Sequence, residues 1–276
     1  MIIVKSKLQS DEDLQILDWL TPIEYGTQHS DFLHRRQPGT CQWLLDSTQY
    51  QTWLNTGKQI LFCPGIPGTG KTILTSVVVD HLLTRFQSDQ TVSIVYVYCS
   101  FRRKDEQKYD NLLVSLLKQL AQNQASLPKG IRDLYNRHRK KQTRPPSDEI
   151  SKLIQAVAAL FSRVFVVVDA LDECKASDGC RENFISELFN LQNHSTTSIF
   201  ATSRFVPEVT SKFDKCTILE IRANDEDVKK YLEVHMKGLP SFAQQDRQLQ
   251  EEIKMVISEA ADGMYVLSYN RYVKRR

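Results

Sequence analysis

The sequence predicts a three-layer α/β domain on a mainly parallel five-stranded sheet, with a helical leader before it and the start of a helical lid after it. Three observations carry that prediction. From Gln59 onward, near-continuous apolar runs alternate with amphipathic stretches. The runs lack in-and-out alternation, as strands covered by helices on both faces do. A glycine-rich turn, Gly65–Thr72, joins the first run directly to a helical pattern.

The elements follow in order. In residues 8–20, Leu14, Leu17 and Leu20 fall at helical spacing, and Asp11 to Asp13 suit a first turn; Thr21-Pro22 ends that helix. Ser30–Gly39 is polar and closes on Pro38-Gly39, which predicts a loop or linker. A second short helix is expected around Trp43 to Trp53, packed onto the next domain by Trp43, Leu44, Tyr50, Trp53 and Leu54. The five predicted strands are Gln59–Cys63, Val92–Ser100, Val164–Asp169, Ser198–Thr202 and Thr217–Ile221. Asn111–Ala121, Glu149–Phe161 and Glu182–Leu191 are the amphipathic helices between them. After Ile221, Asn224 is placed to cap a helix through Val228, Tyr231 and Leu232, and another helix is expected over Gln250–Ala261, ended by Gly263. The domain reading is therefore 1–57 leader and linker, 58–222 α/β domain, and 223–276 the beginning of a helical lid.

Composition narrows the class. With 276 residues, 36 Lys+Arg against 33 Asp+Glu and 41% hydrophobic residues, the chain has the content of a packed globular protein rather than a disordered or fibrous one. Its apolar runs, such as Val164–Val168, fall far short of the ~18–20 residues that cross a bilayer. The start, Met-Ile-Ile-Val-Lys-Ser-Lys, lacks the long apolar region of a secretory signal. The six cysteines form no C-x-x-C pair, which points to reduced thiols and a cytoplasmic location. The basic run Arg137–Arg144, followed by Pro145-Pro146, reads as an exposed loop between helices, with no nucleic acid expected as partner. The histidines show no metal-ligand spacing.

The residues that carry chemistry sit at the ends of the predicted strands. Gly65-Ile66-Pro67-Gly68-Thr69-Gly70-Lys71-Thr72 matches G-x-x-x-x-G-K-[ST] in full. From average composition, such a string arises by chance in about one chain in a hundred of this length. Gly65, Gly68 and Gly70 let the backbone curl around phosphate oxygens, and successive amides, that of Thr69 among them, join the helix end in favouring negative charge. Lys71 is placed for β- and γ-phosphates, and Thr72 offers a hydroxyl to Mg²⁺. Val164–Asp169 delivers a carboxylate at a strand end, which makes Asp169 the second metal-side ligand. Either Asp172 or Glu173 then orients or deprotonates the attacking water. The fourth strand ends in Thr202-Ser203-Arg204, and Arg204 is a γ-phosphate sensor or else a surface ion pair.

Gly65–Thr72, Val164–Glu173 and Thr202–Arg204 resemble the Walker A, Walker B and sensor motifs of NACHT-type P-loop NTPases of the signal-transducing STAND class. Asp169-Ala170-Leu171-Asp172-Glu173-Cys174, with Pro38–Leu45 upstream, is similar to the fungal branch and to nephrocystin-type P-loop domains, over most of residues 38–266. The resemblance implies a nucleotide switch: an ADP-bound resting form, an ATP-bound form that self-associates through the NTPase domain, and slow hydrolysis. Relatives commonly add an amino-terminal effector region and carboxyl-terminal repeats. This chain stops soon after Asp262–Leu267 and lacks the winged-helix part whose histidine contacts the ADP phosphate in relatives, so a truncated product is expected. Two other readings stand beside the switch. A housekeeping P-loop enzyme would carry an acceptor-site motif, and none is visible; a nucleotide-holding or protein-interaction fragment would bind without hydrolysing.

Overall fold

In the computed structural model, which describes residues 11–103, 106–235 and 248, four helices come first: α1 (Asp11–Leu20), α2 (Gly26–His34), α3 (Gln42–Asp46) and α4 (Thr48–Asn55). Then follow β1 (Ile60–Pro64), α5 (Lys71–Arg85), β2 (Val92–Tyr98), α6 (Tyr109–Gln122), α7 (Lys129–Lys141), α8 (Ser147–Ala158) and β3 (Arg163–Asp169). The chain continues through α9 (Cys180–His194), β4 (Thr197–Ser203), α10 (Pro207–Thr210), β5 (Thr217–Ile218) and α11 (Asp225–His235). Single 3₁₀ turns at Phe101–Arg103 and Leu171–Glu173 extend the ends of β2 and β3.

The five strands form one sheet in the order β2-β3-β4-β1-β5, and every pair is parallel. The expected α/β class and strand number hold. Alternate residues of each strand serve opposite layers, because successive side chains leave a strand on opposite faces. Val164, Val166 and Val168 of β3 pack with α6, α8 and α9, whereas Phe165 and Val167 pack with α3, α4 and α5. That two-sided burial is why the runs read as continuously apolar. The register places Cys63 beside Thr202, Pro64 beside Ser203 and Val168 beside Ala201, so β1, β3 and β4 all deliver their carboxyl ends to one edge. Strand β4 lies between β1 and β3, and it therefore reaches both the glycine-rich loop and the acidic turn.

The leader packs directly on this sandwich. Ile16 and Leu17 are buried in the same core as α6, and the buried Lys118 of α6 donates to Thr21 O (2.9 Å) and pairs with Glu24 (2.6 Å) and Asp18 (3.4 Å). Ser47 breaks the expected Trp43–Trp53 helix in two. Its extended backbone ends α3, and its hydroxyl caps α4 by accepting from Tyr50 N at 3.2 Å. Trp53 fixes α4 to the sheet: it is 1% exposed, donates from Nε1 to Ile199 O (2.8 Å), and lies edge-on to Phe165 and Phe200.

Other expectations also need correction. The loop predicted over Ser30–Gly39 is helical as far as His34. Polar α2 shows little apolar periodicity, and it is held by tertiary contacts, His29 Nδ1 to Tyr98 OH (3.0 Å) and Phe32 against Tyr98. The basic run is likewise helical. Arg137–Lys141 forms the last turns of α7, which buries Ile131, Leu134 and Tyr135 and ends at Gln142 in the left-handed conformation. Glu149 pairs with Arg137 and hydrogen-bonds His138, and basic residues are favoured at a helix carboxyl end. The ladder of β5 stops at Ile218, three residues before the expected end, yet Leu219 N and Ile221 N still bond Phe62 O (2.9 Å) and Pro64 O (2.7 Å). Asn224 caps α11 as expected, accepting from Glu226 N (3.1 Å) and Asp227 N (3.2 Å). The helix expected over 250–261, its end at Gly263, residues 262–276 and the stretch Met1–Lys7 lie outside the described residues.

Candidate nucleotide site

The carboxyl edge of the sheet gathers the predicted residues. Between β1 and α5 the chain turns through Gly65–Gly70, with Gly68 (φ 82°) and Gly70 (φ 79°) in the left-handed region open to glycine. Gly65 is required for a different reason. A β-carbon there would meet Ile221 O at 2.4 Å and Thr69 Oγ1 at 3.0 Å, because the chain leaving β5 crosses over the loop. Gly65→Ala is therefore expected to destabilise the fold by about 1–3 kcal/mol and to open the loop, a change checked by a lower Tm and weaker nucleotide affinity.

Lys71 begins α5, and its Nζ donates to Gly65 O and Ile66 O, both at 2.7 Å. Burial pulls its ammonium below the ordinary lysine range, while Asp172 and Asp169 oppose that pull. One turn of α5 then presents two hydroxyls to Asp169: Thr72 Oγ1 donates to Oδ2 (2.7 Å) and Thr75 Oγ1 to Oδ1 (2.9 Å). Thr202 of β4 adds a third, to Oδ1 at 2.7 Å, and accepts from Ala170 N at 2.9 Å. Asp169 is 2% exposed, and burial raises its pKa against these three hydroxyl donors. A buried carboxylate without partners costs several kcal/mol, which explains the hydroxyl ring around it.

Asp172 and Glu173 diverge. Asp172, on the turn after β3, accepts from Arg204 N (2.9 Å) with Oδ1 and from Arg204 Nε with Oδ2. Both carboxylate oxygens are thus committed to one arginine, and the bond to Asp172 raises the Arg204 pKa. Arg204 itself is half exposed and lines the cavity. Glu173 points elsewhere, with Oε2 accepting from Phe101 N at 3.2 Å. Burial raises its pKa; the Phe101 amide and Arg204 pull it down, while Asp172 and Asp169 push it up.

A cavity of about 430 Å³ opens between these groups, lined by Gly68, Gly70, Lys71, Thr72, Glu173 and Arg204. Its wall also holds residues that the sequence did not point to. Arg35, Gln37, Thr40 and Cys41 come from the α2–α3 connection, and Asp227 and Tyr231 from α11. These two segments are tied together: Cys41, at φ 71°, donates its amide to Asp227 Oδ2 (2.7 Å), and Lys230 Nζ donates to Gly39 O (2.9 Å). Pro38-Gly39-Thr40-Cys41 was a visible signal for the first of these segments; Asp227 offered only a favourable helix charge. Thr75 was also unassigned, although its position three residues after Thr72 puts both hydroxyls on one helix face.

The residues fit a nucleotide with a divalent cation. The loop lines the cavity with Gly68 and Gly70, both at positive φ, beside the Lys71 ammonium, and Thr72 and Asp169 meet as hard oxygen donors of the kind Mg²⁺ takes alongside phosphate and water.

Solved structures that the chain matches include AMPPCP-bound DnaA from Aquifex aeolicus, 14% identical with a TM-score of 0.45, covering 88% of this chain and 64% of that one. Cdc6p from Pyrobaculum aerophilum is 13% identical with a TM-score of 0.47, covering 94% and 68%. A Walker-type ATPase of Pyrococcus abyssi is 10% identical with a TM-score of 0.48, covering 86% and 72%. The chain spans less than two thirds of the length of the DnaA structure. No curated protein matches it. The model of the family described as nephrocystin 3, N-terminal, matches residues 39–204, from the cavity's leader segment to Arg204, and the chain belongs to that family of P-loop NTPase domains.

Proposed function

We propose that the protein is a NACHT-type switch that binds ATP and ADP, hydrolyses ATP slowly with Mg²⁺, and uses the bound state to drive self-association in a cytoplasmic signalling complex. One cavity lined by Pro67, Gly68, Gly70, Lys71, Thr72 and Glu173, with Asp169 bonded to Thr72 behind its wall, carries this reading. The loop amides and Lys71 hold the phosphates, with Lys71 exchanging the carbonyls of Gly65 and Ile66 for phosphate oxygens. Thr72 and Asp169 hold Mg²⁺, which when bound neutralises charge on the phosphates. Glu173 orients the attacking water and takes its proton, since it keeps an ionisable carboxylate at the cavity wall while Asp172 is committed to Arg204. Arg204, carried at the end of β4 and held by Asp172, faces the terminal phosphate.

The switch component rests on the remaining cavity wall. A nucleotide there touches the leader and α11 together, and the Cys41–Asp227 and Lys230–Gly39 bonds join those segments to each other. Turning a population from 1:99 to 99:1 takes about 5.5 kcal/mol of differential affinity between two states, and contacts on two separately connected segments can supply it. The test is native mass with ADP and with Mg-ATP: the ADP complex is expected to stay at the chain mass and the ATP complex to move to a multiple of it.

A further inference from the structure

The end of β2 is built to a degree that the nucleotide site alone does not require. Tyr98 pairs in register with Asp169, and Cys99 N continues the ladder to Asp169 O at 3.1 Å, so the residues after β2 run alongside the acidic turn. Gln107, 2% exposed, clamps this extension from outside. Its Oε1 accepts from Ser100 N (2.9 Å), and its Nε2 donates to Tyr98 O (3.2 Å). The 3₁₀ turn then closes through Arg103 N to Ser100 O at 3.0 Å. Phe101 is the first residue of that turn, where an amide has no partner within its own turn. Its N–H meets Glu173 Oε2 at 3.2 Å instead.

Glu173 lines two cavities. One is the nucleotide cavity; the other, of about 520 Å³, is lined by Phe101, Cys174 and Lys175, and Asp172 and Arg204 share both walls with Glu173. A glutamate that lines both has rotamers that face either way. One fixed donor is enough to choose between them.

We propose that the Phe101 backbone N–H, held in place by the Gln107 clamp, is the positioning group for Glu173: it fixes which way the carboxylate faces and keeps it ready to accept a proton from water. This rests on Glu173 being the base, as read above. Phe101 acts through its amide rather than its ring, and it touches neither substrate nor metal. The charged groups around the carboxylate are Asp172 and Asp169, which disfavour its ionised form, and Arg204 and the cavity residue Lys175, of which Arg204 favours it; Lys71 lines the nucleotide side. Among them, the Phe101 amide is the donor bonded directly to the carboxylate and leading the forces that hold it ionised against burial.

The test separates amide from ring. Phe101→Pro removes the N–H at a position where a first-turn proline is compatible with the backbone. Phe101→Ala removes the ring and keeps the N–H, as the conservative rescue. Expected for Phe101→Pro is a kcat lowered about tenfold at neutral pH, the loss of roughly one charge-assisted hydrogen bond. KM for ATP and affinity for ADP should stay within about twofold, because the amide contacts no part of the nucleotide. The acid limb of the kcat profile should move to higher pH, since loss of the donor leaves Arg204 to oppose burial without it, and Phe101→Ala should restore both kcat and limb. Gln107→Leu, which keeps the volume and loosens the clamp, should move the limb the same way by less. The ¹³C NMR titration of the Glu173 carboxylate, assigned with Glu173→Gln, reads the same contact without turnover and should move up in Phe101→Pro, by less in Gln107→Leu, and not in Phe101→Ala. Equal profiles and equal carboxylate titrations for Phe101→Pro and Phe101→Ala overturn the proposal, as does a change confined to KM. If Glu173→Gln hydrolyses at the wild-type rate, the base assignment falls and the proposal with it. If Glu173→Gln is silent while Phe101→Pro is normal, only the positioning role falls.

Discussion

Lys71→Ala is expected to weaken binding of Mg-ATP and of ADP at least about a hundredfold, with little change in fold stability. The ammonium sits at the mouth of the Gly65–Gly70 loop, bonded to two loop carbonyls at 2.7 Å each, in the position from which a phosphate takes over those bonds. Charge-assisted hydrogen bonds of this kind are worth about 1.5–3 kcal/mol each, so losing two costs on the order of 3–6 kcal/mol, or two to four powers of ten in affinity. Burial already depresses the Lys71 pKa, so the folded protein gains little from holding this cation, and its removal leaves Tm nearly unchanged. Lys71→Arg is expected to restore little, because a planar fork does not reproduce a compact ammonium under a tight loop. Titration calorimetry with each nucleotide checks the affinities; retained tight binding by Lys71→Ala removes the loop from the account.

Glu173→Gln is expected to lower hydrolysis by about 10²–10⁴-fold while leaving ATP affinity nearly intact, the loss that follows when a general base is removed and its shape is kept. In the proposed role, Glu173 works only when ionised. Its pKa is raised, chiefly by burial, so the rate should fall on acidification through a midpoint above the ordinary glutamate range rather than within it. Asp172→Asn should behave differently. It loosens Arg204, whose Nε and backbone N–H both rest on Asp172, and so it should affect ATP more than ADP. Phosphate release across a pH series, set beside binding of both nucleotides, distinguishes the two carboxylates.

The chemistry-bearing residues were legible because they obey local rules. A glycine-rich string between strand and helix dictates its own backbone, and a carboxylate after five buried apolar residues, Val164–Val168, has few structural uses. The parallel sheet was legible in the same way, since burial on both faces erases alternation. The different surroundings of Asp172 and Glu173 were not legible, because they depend on Arg204 and Phe101, which are 32 and 72 residues distant in sequence. Helix α2 was missed for a related reason: His29 and Phe32 are held by Tyr98 across the fold, and no periodicity records that contact. The basic stretch of α7 misled because charge density masked the spacing of Ile131, Leu134 and Tyr135. The Asp227–Cys41 bond joins residues 186 apart, so that part of the cavity wall required the fold itself.

The central claim is that occupancy of this cavity by ATP, and not by ADP, changes the protein's state of assembly. Native mass spectrometry of Glu173→Gln, which holds ATP without consuming it, tests that most directly. The account predicts a single-chain mass with ADP and a discrete multiple with Mg-ATP, the latter lost when Lys71→Ala is added. The same single-chain mass with both nucleotides bound would contradict it, leaving a protein that holds nucleotide without switching.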